Sequence, residues 1–241
     1  MRLLVSLLLS LAPAMVPIAG GTFTMGSDGD EPDERPRHRV TLEAFWLDRD
    51  EVTTAAYGHC VDAGKCAAPR RAERASNEPV TWVSWTDADA YCRFIGARLP
   101  TEAEWERAAR GDDGRRYPWG EAPDCAAANF GNYQGEGRCP QNPGRPVAVG
   151  RYDKIRSPFG ARDLAGNVWE WVADRYAAAY YARAPKKSPR GPATGERRVV
   201  RGGACCSMFG LPRASNRVAF PPDYTDQDLG FRCARDAAPR R

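Results

Sequence analysis

Apolar and polar side chains alternate between glycines along Gly20-Gly21-Thr22-Phe23-Thr24-Met25-Gly26-Ser27, and a period of two predicts a strand. Arg39-Val40-Thr41-Leu42 and Phe45-Trp46-Leu47 predict further strand. The period then lengthens. Thr53 is placed to cap a helix running to about Ala63, with Tyr57 and Cys60 spaced for one face. Thr86 stands three residues before Asp89, and Ala88, Tyr91, Cys92 and Ile95 recur at helical spacing, so a second helix is predicted to start at Thr86. Thr101 stands three residues before Glu104, a capping box in which side-chain oxygens satisfy free backbone N–H groups. That helix should run through Trp105 to Arg110 and stop at Gly111, with Arg98-Leu99-Pro100 linking it to the one before. Beyond Gly111, Gly, Pro and Asn recur too often for long regular elements. The expectation is an α+β chain, low in regular structure, with two to three short helices. Nothing reads as an interdomain linker or a repeat, so one domain over 15–235 is expected, with 236–241 a disordered tail.

Composition sharpens this picture. The 241 residues suffice for one large domain or two small ones, and 42% hydrophobic with 27% charged content is that of a soluble globular protein. The net charge is only +4 and Lys and Arg are spread along the chain, so no nucleic-acid partner is expected. The 23 Gly, 20 Pro and 7 Trp suggest loops packed on aromatic rings rather than a helical bundle. At the N-terminus, Arg2 precedes an apolar run over 3–11 that is too short to span a bilayer, and Ala12-Pro13-Ala14 fits a small-x-small cleavage site. A signal peptide over 1–14 is therefore expected, and with it a periplasmic or secreted location. No later segment is apolar enough to be a transmembrane span. Eight cysteines agree with export, since an even count in an exported chain reads as disulfides. Cys60 and Cys66 bracket a short turn containing Gly64, and Cys125 and Cys139 bracket a loop rich in Gly, Asn and Gln; proximity suggests both pairs.

Few segments carry candidate chemistry. The acidic loop over 28–34 reads as a solvated turn. In Asp163-Leu164-Ala165-Gly166-Asn167-Val168-Trp169-Glu170 a carboxylate stands at each end of a glycine turn able to fold main-chain carbonyls inward. Hard oxygens of that kind suit calcium; the competing reading is a plain turn packed by Trp169 and Trp171. The two histidines, His38 and His59, form no cluster of the kind iron or catalytic zinc requires. There is no Gly-x-Ser-x-Gly elbow and no phosphate-cradling Gly-x-x-x-x-Gly-Lys loop. Cys205 and Cys206 follow Gly202-Gly203 directly. Such a pair can hold a soft ion such as Cu(I), or exchange with disulfides if Arg201 and Arg213 lower a thiol pKa. It can also be a vicinal disulfide, or one bond to a distant cysteine beside one buried thiol.

Taken together, Gly21-Thr22-Phe23-Thr24-Met25-Gly26-Ser27, Glu51-Val52-Thr53, Arg98-Leu99-Pro100-Thr101-Glu102-Ala103-Glu104-Trp105-Glu106, Tyr117-Pro118-Trp119-Gly120, Gly166-Asn167-Val168-Trp169-Glu170-Trp171, Arg201-Gly202-Gly203 and Leu229-Gly230-Phe231-Arg232 resemble, in order, the motifs of the formylglycine-generating enzyme (sulfatase-modifying factor) family. The resemblance implies a C-type-lectin-like core elaborated by long loops. It implies calcium at the positions of Asp163, Leu164, Gly166, Val168 and Glu170, a second calcium site using Asn129 and Phe130, and a Cys92–Cys233 disulfide. Formylglycine generators in this family bind Cu(I) through two cysteines separated by four residues just after the Gly-Gly pair. Here those positions fall at Ser207 and Pro212, and the cysteines are adjacent. Cys205, Cys206 and Ser207 are thus the only catalytic candidates, and bound copper is not expected. The expected function is that of an exported, monomeric binding member with a protein or glycan ligand, contacted by the 201–228 loop and the 176–181 segment. The alternative is a copper-dependent oxidase converting a cysteine of sulfatases to formylglycine.

Overall fold

Main-chain pairing is confined to short strands, as the glycine- and proline-rich sequence predicts. The computed structural model describes residues 14–71, 75–132, 135, 137–153, 155–206 and 212–237. Residues 1–13 of the expected 1–14 signal peptide and Ser207 lie outside them. β1 (Met15–Ile18) pairs antiparallel with β4 (Phe45–Asp48), whose other edge takes β9 (Ala234–Asp236). β2 (Gly21–Met25) and β3 (His38–Leu42) form an antiparallel pair. The largest sheet orders β7 (Arg217–Phe220), β6 (Arg198–Arg201), β5 (Trp169–Arg175) and β8 (Leu229–Phe231), with β5 and β8 parallel. Its register sets Glu170 opposite Arg201 on one side and Gly230 on the other.

Three helices appear among the described residues: α1 (Thr54–Asp62), α2 (Trp85–Phe94) and α3 (Glu102–Arg110). Thr53 caps α1 through Oγ1, which accepts from the Ala56 N–H at 3.2 Å. Thr101 and Glu104 form the expected box on α3, and Gly111 ends it at φ +67°. The predicted start of α2 is corrected. Ser84, not Thr86, is the cap: its hydroxyl accepts from the Asp87 N–H while the Asp87 carboxylate accepts from the Ser84 N–H. Both sites offer a hydroxyl followed three residues later by an aspartate. The choice is made by Trp85, whose main-chain N–H and indole N–H reach Pro222 and Val172 carbonyls, so the chain is already helical at Trp85.

One apolar cluster surrounds α3 and includes Phe23, Val40, Leu42, Trp105, Val172 and Val199. A second packs α1 and α2 on the large sheet, where the Tyr57 and Tyr91 rings stack at 5.6 Å and Phe231 meets Tyr91 edge-on at 5.5 Å. Disulfides Cys60–Cys66 and Cys125–Cys139 close local loops, and Cys92–Cys233 joins α2 to the chain after β8. That last link spans 141 residues, and closing so long a loop stabilises by about 5 kcal/mol in the chain-entropy account. No helix among the described residues is long and apolar enough to cross a membrane.

Two expectations fail at the edges. The 28–34 loop is not simply solvated: Pro32–Glu34 forms a 3-10 turn with Glu34 fully buried, because Arg213 reaches its carboxylate at 2.8 Å. The domain also extends past Arg235, since Asp236 pairs with Phe45 in β9 and accepts from Arg98. The cap assignment is tested by substitution. Ser84→Ala should lose about 1 kcal/mol in urea unfolding, as cap removal typically does, while exposed Thr86→Ala should change the midpoint little.

Candidate functional site

The 163–170 turn is shaped by backbone that ordinary side chains disfavour. Gly166 has φ +92°, and a Cβ there would lie 2.4 Å from the Asn129 carbonyl oxygen. Asp163 and Asn167 sit at φ +56° and +60°, a region that Asp and Asn tolerate better than most residues. Asn167 then fastens the turn. Its N–H donates to the Asn129 carbonyl at 2.8 Å, its Oδ1 accepts from the Val147 N–H at 3.0 Å, and its Nδ2 donates to Glu51 Oε1 at 3.0 Å. From the other side, Gly166 N–H donates to the Gly202 carbonyl and Cys205 N–H to the Asn167 carbonyl. Asn129 and Phe130 therefore lie against this same turn, not apart from it.

Behind the turn stands a fully buried ion pair. Arg232 donates from Nε and Nη2 to the two Glu170 oxygens, both at 2.7 Å, in the bidentate geometry that makes such pairs strong. Trp105 Nε1 donates to the same carboxylate at 2.8 Å. Arg232 also holds the carbonyls of Asp48, Arg49 and Arg162. Burial is the largest influence and opposes its charge, but Glu170 together with Glu51 and Asp50 outweighs it and keeps its pKa above the usual value.

The carboxylates around this pair are not fully compensated. Glu51 is buried and its Oε2 has no hydrogen-bond partner. Burial, with Asp163 and Glu170 nearby, pushes its pKa well up. Asp163 is pushed up to about 6, chiefly by burial, against the Gly150 N–H donated to it at 2.7 Å and the charge of Arg232. Asn129 Oδ1 is likewise buried without a partner. Unshared oxygens beside surplus negative charge fit a hard cation. Among the described residues no three His, Cys, Asp or Glu side chains are grouped to hold a metal, so such an ion would rely on main-chain oxygens as well. The Glu170 oxygens already face Arg232 and Trp105; Glu51 is the carboxylate that the sequence reading missed.

The sulfurs of Cys205 and Cys206 lie 2.9 Å apart, and Cys206 donates to Asp228 Oδ2 at 3.8 Å. Neither cysteine is in a disulfide; Cys205 is buried and Cys206 partly exposed. The expected influence of Arg201 and Arg213 on these thiols is corrected. Arg201 donates to Glu106 at 2.5 Å and Arg213 to Glu34 at 2.8 Å, so each guanidinium is committed to a carboxylate. In the 176–181 segment Tyr180 and Tyr181 are buried, Tyr181 under Arg217, the Tyr176 hydroxyl donates to Asp33, and Ala178 and Ala179 are exposed.

Short strands, three capped helices and a loop turn fastened by asparagine and a buried Glu–Arg pair define an α+β domain of the formylglycine-generating-enzyme kind. The family model for the sulfatase-modifying factor enzyme 1-like domain matches residues 8–237, and the chain belongs to that family. It is 36% identical to the formylglycine-generating enzyme of Streptomyces coelicolor over 92% of this chain and 89% of that one. It is 32% identical to the hercynine oxygenase of Mycolicibacterium smegmatis over 94% of this chain and 62% of that protein. The structure of PvdO from Pseudomonas aeruginosa superposes with a TM-score of 0.78 at 28% identity, covering 94% and 95% of the two chains.

Removing one partner of a buried pair strands the other's charge. Arg232→Ala should lose about 3–5 kcal/mol in urea unfolding. Exchanging both, as Glu170→Leu with Arg232→Met, should lose less than the two single changes summed.

Proposed function

We propose that this chain is an exported binding member of its family that does not generate formylglycine. The observation that carries the reading is the adjacency of the thiols. A two-coordinate ion must stand between its sulfurs, which sets them about 4.5 Å apart, twice a metal–thiolate bond of about 2.3 Å. Cys205 and Cys206 have sulfurs 2.9 Å apart on neighbouring residues. Pro212, at one of the two positions where spaced cysteines would fall, carries no sulfur, and neither does Ser207. Family membership does not itself fix a reaction, since relatives of comparable identity bear the names formylglycine-generating enzyme and hercynine oxygenase. Incubation with Cu(I), dioxygen and a cysteine peptide from a sulfatase should yield no aldehyde above the copper-free control; aldehyde formation would establish the oxidase alternative.

Calcium belongs to the same reading. Asp163 and Glu170, with the carbonyls of Leu164, Gly166 and Val168 between them, would hold the ion, and Glu51 would contribute negative charge behind it. The ion supplies charge neutralisation to a turn that otherwise buries repelling carboxylates. The sign of the pH dependence follows. Asp163 binds its proton more tightly folded than unfolded, so without calcium its share of stability is present below about pH 4 and lost as pH rises through about 6. Calcium replaces that proton. Its addition should raise the thermal midpoint more at about pH 8 than at about pH 5, and a chelator should reverse the gain. Asp163→Asn keeps an oxygen ligand and should flatten this pH step. Equal midpoints with calcium and chelator at both pH values would remove calcium from the account.

A further inference from the structure

We propose that Cys205 and Cys206 form a two-electron thiol–disulfide couple, with a small exogenous disulfide as oxidant and a vicinal disulfide as product. Six of the eight cysteines are already joined in three disulfides, and the two that are not are chain neighbours with sulfurs 2.9 Å apart. Exchange at this pair therefore stays local.

Exposure sets the order of events. Cys206 is partly exposed and Cys205 buried, so an incoming disulfide RSSR meets Cys206 first. The Cys206 thiolate attacks one sulfur, forms Cys206–S–SR and releases RSH. The Cys205 thiolate then attacks the Cys206 sulfur, forms Cys205–S–S–Cys206 and releases the second RSH. Two electrons and two protons leave the protein, and RSSR is reduced to two RSH. Asp228 Oδ2, 3.8 Å from the Cys206 sulfur, is placed to accept the first proton.

Covalent geometry makes the couple reversible. Adjacent Cα atoms are about 3.8 Å apart across a trans peptide, whereas disulfides usually span 4.4–6.8 Å. The three formed bonds span 5.3, 5.6 and 5.5 Å. A vicinal ring is strained by comparison, and strained bonds are the more readily reduced. The pair can thus cycle while the other three bonds persist. Its main chain is fastened on both sides: the Cys205 N–H donates to Asn167 and its carbonyl accepts from Asn132, each at 3.1 Å. Closing the ring turns the peptide that follows this carbonyl, so the redox state is felt at the turn Asn167 fastens.

The full chain, equilibrated in mixtures of reduced and oxidised glutathione, trapped by alkylation and digested, provides the test. The peptide carrying both cysteines should pass in one transition from two alkyl groups to none, lighter by two hydrogens and without a glutathione adduct. The transition should need a more oxidising mixture than the one that keeps Cys92–Cys233 joined. C205S should instead accumulate glutathione on Cys206, because the resolving thiol is gone. Two alkylated thiols persisting in the most oxidising mixture, a lasting glutathione adduct on the unsubstituted chain, or a bond from either cysteine to another residue would overturn the proposal. This readout involves neither copper nor a sulfatase peptide, so it fails independently of the functional reading above.

Discussion

A single guanidinium does much of what regular structure does in other folds. Arg232 has five N–H donors, and all five are used: two on Glu170 and one each on the carbonyls of Asp48, Arg49 and Arg162. Those acceptors lie up to 184 residues away in sequence. Loops have few main-chain partners of their own, and a buried carbonyl left unpaired is costly. Arg232 supplies partners at the point where the end of β4, the 162 loop and β5 converge. Desolvating both charges costs several kcal/mol per ion, so the pair is tolerable only because no donor is left over. Its value to the molecule is position. It fixes Glu170, and through β5 the whole 163–170 turn, to the chain between β8 and β9.

A second ionic layer explains why α3 departs from the amphipathic rule. Every residue from Glu102 to Arg110 is buried, three glutamates and two arginines included. The charges are matched across the core instead of being turned outward. Glu106 takes Arg201, Arg110 and the Gly26 N–H, and Glu102 takes a bidentate Arg217. Asp174 accepts from the Glu102 N–H, and burial beside Glu102 pushes its pKa up to about 8. The two layers meet in the large sheet, where Arg201 faces Glu170 in register. α3 is thus pinned by charge to β6 and β7 and by the Asp174 bond to β5, the strand that Arg232 pins, and Trp105 crosses between the layers to reach Glu170.

What the sequence made legible was whatever is settled within a few residues. The Thr101–Glu104 box and the Gly111 stop are local chemistry, and they appear where the sequence places them. Ser84 and Thr86 show the limit of that logic. Each is followed by an aspartate at the right distance, and only the anchoring of Trp85 on Pro222 and Val172 separates them. Glu34 looked solvated because its partner Arg213 lies 179 residues further on. Glu51 and Asn167 stood in plain view inside motifs, yet nothing local says that one holds the other. The link across 141 residues from Cys92 to Cys233 became visible through resemblance and not through spacing. Cooperative networks of distant charges have no periodic signature, and here they carry most of the candidate site.

The same contrast between local and distant geometry governs the sulfurs. Gly203 adopts φ +70°, and a Cβ there would lie 2.8 Å from Pro212 Cβ, so the chain leaves and returns at one point. Two side chains separated by four residues of such an excursion can approach an ion from opposite sides, because the loop between them absorbs the spacing. Two neighbours share a single peptide unit, and here their sulfurs lie side by side, 2.9 Å apart. What adjacency does favour is a bond between the sulfurs themselves. The scaffold on either side, with Gly166 bound to Gly202 and Asn167 to Cys205, needs no change for that exchange of chemistry. A shift in where two thiols fall along one loop sets their sulfurs side by side, the arrangement that the proposed thiol–disulfide exchange uses.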